Sequence, residues 1–189
     1  MGGQSAGFDM RDLTLLTVCG ALRAGSTNRL LLTNAALAFG AATVIDANLR
    51  LPLYDNDLED ATGIPDEVTL LAGAIRAADA VVIATPEYDK SLSGVLKNAL
   101  DWVSRVPGSV WRDKPVAILS AADGRSGGER AQFALRLCMV AHRPRLLAGP
   151  EVMVAKSREA FDATGRLLND RTRKNLTDLM QNLRAEAMR

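Results

Sequence analysis

The chain has 189 residues, 48% hydrophobic but only 4% aromatic, with a formal net charge of +1. That length favours one domain whose core is filled by aliphatic residues and alanine. The near-zero charge gives no reason to expect a nucleic-acid or membrane partner. Cys19 and Cys138 form no C-x-x-C pair, which points to a reducing compartment and away from a disulfide scaffold or zinc site.

The N-terminus "MGGQSAGFDMRD" (1–12) reads as a flexible polar tail. It lacks the apolar stretch of a signal peptide, and "MGGQSA" matches a myristoylation signal only weakly. No apolar run approaches the roughly 18 residues needed to span a bilayer, so a soluble, cytoplasmic protein is expected. "LTLLTVCG" (13–20) suits a strand buried on both faces, and "STNRLLLTNAALAFG" (26–40) has the polar start and terminal glycine of a capped helix. "ATVIDA" (42–47) is a second strand, "NLRLPLYDNDLED" (48–60) a loop, and "PDEVTLLAGAIRAA" (65–78) a helix with proline and acids at its start. "DAVVIATPEY" (79–88) is a buried strand running into a loop. "SGVLKNALDWVSRV" (93–106) is a helix with Leu96, Leu100 and Val103 on one face. "KPVAILSAADG" (114–124) is a fourth strand, "GERAQFALRLCMVA" (128–141) a helix and "EVMVA" (151–155) a fifth strand. "LNDRTRKNLTDLMQNLRAEAM" (168–188) closes the chain as a helix with Leu176, Leu179, Met180 and Leu183 as its stripe. Alternating apolar strands and helices define an α/β fold: a five-stranded parallel sheet of order 2-1-3-4-5 between two helical layers. Ligands of such sheets bind at the carboxyl ends of the strands beside the switch point.

Three stretches converge there: "GALRAGSTN", "TPEYDKSLSG" and "SAADGRSGG", after strands 1, 3 and 4. The first has the glycine spacing of a P-loop, G-x-x-x-x-G-S-T, without its lysine. A helix N-terminus presents unpaired N–H groups to an anion. Arg23 adds a planar cation, and Ser26, Thr27 and Asn28 add short donors. With no lysine to reach a γ-phosphate, the loop suits a monophosphate ester better than a triphosphate. An equally weighted reading makes Ser26 or Thr27 a plain N-cap and Arg23 a solvated residue. Tyr88 can pack on a flat ring or simply occupy a surface turn, and the glycines at 124, 127 and 128 leave backbone open to a ligand. His142, the sole histidine, lies in "AHRPR" without a triad partner pattern, Cys138 reads as core packing, and neither G-x-S-x-G nor H-E-x-x-H occurs.

These stretches resemble the NAD(P)H-dependent FMN reductases, a flavodoxin-like family that includes quinone and chromate reductases. "GALRAGSTNRLL" is similar to its phosphate loop, "PLYDNDLED" to the segment before its second helix, and "TPEYDKSLSGVLKNALDWVSR" to its longest motif. The likeness runs from about residue 13 to 155 and includes "KPVAILSAADGRSGGERAQFALR". It implies FMN as cofactor, with Arg23, Ser26, Thr27 and Asn28 at the phosphate. Pro86, Glu87, Tyr88, Asp89 and Ser91 then stand beside the isoalloxazine ring, and Ser120 and Gly124 at the third flavin-facing loop. It implies NADPH or NADH as donor, and a quinone, flavin, azo compound or metal oxyanion as acceptor, with no protein nucleophile. It also implies a homodimer or homotetramer, with Lys97, Asn98, Asp101 and Trp102 on a helix involved in subunit packing. The chain departs from the family at Ala21, Asp89, Ser93, and Ala121 with Ala122, where family members carry serine, asparagine, proline and small hydroxyl residues. Those departures motivate an alternative: a flavodoxin-like binding or regulatory module with weakened or lost FMN binding.

Overall fold

The computed structural model describes residues 12–189, so the expected tail lies outside the described residues except for Asp12. Strands β1 (Thr14–Cys19), β2 (Thr43–Asp46), β3 (Ala80–Thr85) and β4 (Pro115–Ala121) alternate with helices α1 (Thr27–Phe39), α2 (Asn56–Thr62), α3 (Asp66–Ala77) and α4 (Gly94–Arg105). There follow α5 (Glu129–Met139), the short strands β5 (Arg145–Leu146) and β6 (Val152–Val154), and α6 (Asp170–Ala187). All pairings are parallel in the order β2-β1-β3-β4-β5, with β6 also on β4, as the alternation predicts.

Pleating sends successive strand residues to opposite faces. Leu15, Val82 and Leu119 meet α1 and α6 through Leu31, Phe39, Leu176 and Met180. Leu16, Val81, Ile83 and Ile118 meet α3, α4 and α5 through Ile75, Leu96, Leu100 and Leu135. The stripes expected on α4 and α6 are the buried ones. Each such aliphatic side chain contributes about 1.5–3 kcal/mol when fully buried, so two cores hold the sheet between the helical layers.

Two expectations need correction. The segment read as a loop (48–60) runs into α2, which begins at Asn56 and has no buried residue and therefore no apolar stripe to betray it. Its signals are polar: the Asp55 side chain accepts from Asp57 N (2.9 Å), Asp57 and Glu59 occupy the first turn, and Gly63 ends it. The fifth position of the sheet is not one strand but two. β5 pairs with Pro115 and Val116, and β6 with Leu119 to Ala121. Gly149 and Pro150 lie between them, and proline has no N–H to give a ladder.

α4 turns two of its residues into the chain's own fold. Asn98 is 9% exposed and Trp102 fully buried. Asn98 accepts from Tyr54 N (2.8 Å) and donates to Pro52 O (2.9 Å), and Trp102 Nε1 donates to the same carbonyl (2.8 Å). These two residues fasten the chain's own 52–54 segment instead of facing outward. Lys97 and Asp101 stay at the surface as an i,i+4 ion pair. Ser93, where the family carries proline, is the N-cap of α4 and accepts from Leu96 N (3.3 Å).

Candidate functional site: the carboxyl edge of the sheet

The first loop leaves β1 through Gly20, whose N–H bonds Ala84 O (2.8 Å). A Cβ there would meet Ser93 Oγ at 3.1 Å and both Ala84 O and Pro86 Cδ at 3.3 Å, so glycine lets the first and second loops touch. Ser26 is the N-cap of α1 and accepts from Asn28 N (3.2 Å). Asn28 turns inward: its Nδ2 donates to Ala121 O and its Oδ1 accepts from Ala121 N, both at 2.9 Å. That amide clamps α1 to β4 and is 2% exposed. Arg23 remains exposed, and Thr27 lies half-buried at the helix start. Arg23 makes no ion pair among the described residues.

The second loop is a tight hairpin. Tyr88 and Ser91 exchange backbone bonds (3.1 and 3.0 Å), with Asp89 (φ 48°) and Lys90 (φ 64°) between them. Both central residues are left-handed, as a type I′ turn requires. Lys90→Gly should therefore stabilise the protein by about 1 kcal/mol, because glycine carries no Cβ penalty there. A chemical-denaturation midpoint that falls on this change would refute the turn assignment. Glu87 accepts from Arg130 N (3.1 Å) at the start of α5, and its carboxylate lies 3.7 Å from the Arg130 guanidinium. The negative side chain sits at the positive end of the helix, which latches the loop to α5.

The third loop packs closely. Gly127 (φ 62°) would put a Cβ 2.8 Å from Ala155 N, and Gly128 (φ 95°) would put one 2.7 Å from Ser120 Cβ. Ser120 is fully buried; its hydroxyl donates to Gly127 O (2.7 Å) and accepts from Gln132 Nε2 (2.9 Å). Gln132 Nε2 also donates to Val152 O (2.8 Å). Gly124 stands in open space.

A cavity of about 440 Å³ opens between these loops. Arg23, Ser26, Thr27 and Asn28 line one part, Pro86, Glu87 and Tyr88 another, and Ala21, Ala121 and Ala122 the floor. Asp89, Ser91, Ser120 and Gly124 are not in its wall. Asp123, Ser157 and Arg158 are in it, and the sequence reading missed them. Asp123 and Arg158 form an ion pair (2.6 Å), and Ser157 Oγ bonds Asp123 (3.3 Å). Their one sequence signal is position: "KSR" follows β6, the last strand to end at this edge. The cavity falls within the size range of small-molecule sites. Its exposed arginine and helix N-terminus make one end suited to an anion. Glu87, Asp123 and Arg158 are already paired, and an apolar floor with an aromatic wall suits a planar ring.

This is the topology of a flavodoxin-like α/β protein. Residues 13–159 match the family described as NADPH-dependent FMN reductase, and the chain belongs to that family. It is 43% identical to an NAD(P)H-dependent FMN reductase of Pseudomonas aeruginosa over 91% of this chain and 94% of that one. It is 38% identical to a quinone reductase of Escherichia coli K12, covering 87% of this chain and 90% of that one. Among solved structures it is similar to the flavoenzyme NAD(P)H:(acceptor) oxidoreductase of Paracoccus denitrificans. The TM-score is 0.83 at 28% identity, with 93% and 97% of the two chains covered.

Proposed function

We propose that the protein is an FMN oxidoreductase that takes electrons from NADPH or NADH and passes them to a small acceptor of the quinone, flavin, azo or metal-oxyanion class. The observation that carries this reading is the convergence of Arg23, which makes no ion pair among the described residues, the α1 N-terminus and Tyr88 on one cavity. Arg23, the α1 N-terminus and Thr27 hold the phosphate. Pro86, Glu87 and Tyr88 flank the ring, with Glu87 acting through its latch to α5. FMN, when bound, supplies the hydride and electron chemistry. The protein's part is to grip the phosphate, orient the ring and leave one face open to donor and acceptor in turn. Ser26 and Asn28 serve the site by building the helix start and not by donating their side chains to the ligand. Ser120 does so by fixing the third loop, and Asp89 and Ser91 by forming the hairpin that carries Tyr88; Gly124 leaves main chain open at the rim. An NAD(P)H-dependent FMN reductase and quinone reductases among its relatives support the donor and acceptor classes.

The reading extends to a cytoplasmic homodimer or homotetramer in which each chain acts as one domain. The exposed stripe of Phe133 and Leu137 on α5, continued by Val140 in the turn that follows it, supports assembly, and free Cys19 and Cys138 support a reducing compartment.

Titrating the protein with FMN and then adding NADPH without air tests the reading. Binding in the micromolar range and bleaching of the flavin band are expected; no binding at about 100 μM would favour a module that has lost its flavin. Tyr88→Ala should weaken FMN by roughly three- to tenfold, the range of an aromatic contact worth about 0.5–1.5 kcal/mol. Unchanged affinity and turnover in that variant would move the ring elsewhere.

A further inference from the structure

A second cavity, of about 420 Å³, lies at the opposite, amino-terminal edge of the sheet. The connection from α4 to β4 and the turn after α5 enclose it. Arg105, Arg112, Arg143, His142 and Trp111 line it, and no carboxylate does so among the described residues. Two neighbouring acids are engaged, Glu59 by Arg105 Nε (2.8 and 3.0 Å) and Asp101 by Lys97 (2.7 Å), while Asp113, next to Arg112, is exposed and does not line the cavity. Arg112 and Arg143 are exposed and make no ion pair among the described residues.

A second observation concerns Trp111. It is 4% exposed, and its indole N–H is buried with no hydrogen-bond partner among the described residues. A buried donor left unpaired is costly, and native proteins rarely keep one without a reason. Trp111 meets the His142 ring edge-on, with centroids 6.4 Å apart. Burial holds His142 below the ordinary histidine pKa, with Asp101 pulling it back up, so the imidazole offers both a donor and an acceptor near neutral pH.

The walls are fixed in place. The Arg76 guanidinium donates to Pro107 O. Asp113 N donates to Arg143 O (3.1 Å), and Arg145 Nε donates to Asp113 O (3.0 Å), stitching the two connections together. Ser109, Asp113 and Arg143 all hold positive φ here, a conformation that persists only where the surroundings enforce it.

We propose that this pocket is a second ligand site, separate from the flavin edge, for a multiply charged phosphate-type anion. The guanidinium groups of Arg112 and Arg143 bind the oxyanion, beside the Arg105–Glu59 ion pair that closes one side of the pocket. Guanidinium forks match phosphate oxygens in pairs, and the volume is in the range of small-molecule sites. The site does not depend on the flavin reading.

The test is calorimetric titration of the protein with inorganic pyrophosphate and, separately, with ADP, at saturating FMN and again, should no FMN bind, in the Arg23→Ala background without it. FMN saturation keeps the probe out of the Arg23 end of the other cavity. One site per chain with a dissociation constant at or below about 100 μM is expected. Arg112→Gln combined with Arg143→Asn should weaken binding roughly tenfold or more, from the loss of charge-assisted bonds. Asparagine is chosen at 143 because it tolerates the left-handed backbone. Flavin content and reductase turnover should not change, which also shows that the variant folds. Tighter binding of ADP than of pyrophosphate identifies a nucleotide; equal binding identifies a free phosphate-type anion. No heat of binding at millimolar probe, or equal binding by the double variant, overturns the proposal.

Discussion

Asn28→Ala is expected to lower the stability of the flavin-free protein by about 2–5 kcal/mol. The Asn28 amide is 2% exposed and supplies both hydrogen bonds of the Ala121 peptide groups it faces, at 2.9 Å each. Alanine removes both partners at once and leaves a buried N–H and a buried C=O, each costing about 1–3 kcal/mol. Asn28→Asp should be damaging too. Its carboxylate still accepts from Ala121 N but turns a second acceptor toward Ala121 O. Urea unfolding measures the effect as a fall in midpoint with little change in slope. A loss under about 0.5 kcal/mol, the usual range of surface substitutions, would mean that the clamp is not formed and that Asn28 is free to bind a ligand.

Arg23→Ala is expected to act the other way round, weakening FMN by about ten- to a hundredfold and leaving the apoprotein's stability within about 0.5 kcal/mol. Arg23 is exposed and lines the cavity. Its guanidinium therefore loses no internal structure when removed, only its grip on an anion. Arg23→Lys should recover part of the affinity, since the charge returns without the planar fork. Wild-type affinity should fall with added salt more steeply than that of Arg23→Ala. FMN fluorescence titration reads all three. Equal affinity in Arg23→Ala and wild type would place the phosphate away from the first loop.

Together these two variants separate building the site from binding at it, a distinction the sequence does not draw. "STN" at the start of α1 shows three polar side chains suited to a phosphate. Only the fold shows that Ser26 spends its oxygen on the helix cap and Asn28 its amide on β4. Ser120 is similar: at the end of an apolar strand it reads as a ligand group, yet Gly127 and Gln132 take its hydroxyl. The strands, their order and the α4 and α6 stripes were legible because burial writes a period into the residues. α2 and β5 were not, because α2 buries nothing and β5 has two residues, too few to show any period. Asp123, Ser157 and Arg158 escaped because their proximity is made by β6 docking on β4, a contact between distant parts of the chain.

The divided strand beside β4 has a consequence for solubility. An open sheet edge is a template on which another chain can add a strand, and proteins guard against this with short or interrupted edges. Here β5 offers two residues and β6 three, with Pro150 between them. A passing unfolded chain finds no continuous ladder to extend. Joining β5 and β6 into one regular strand would complete the sheet on paper and expose the protein to edge-to-edge aggregation.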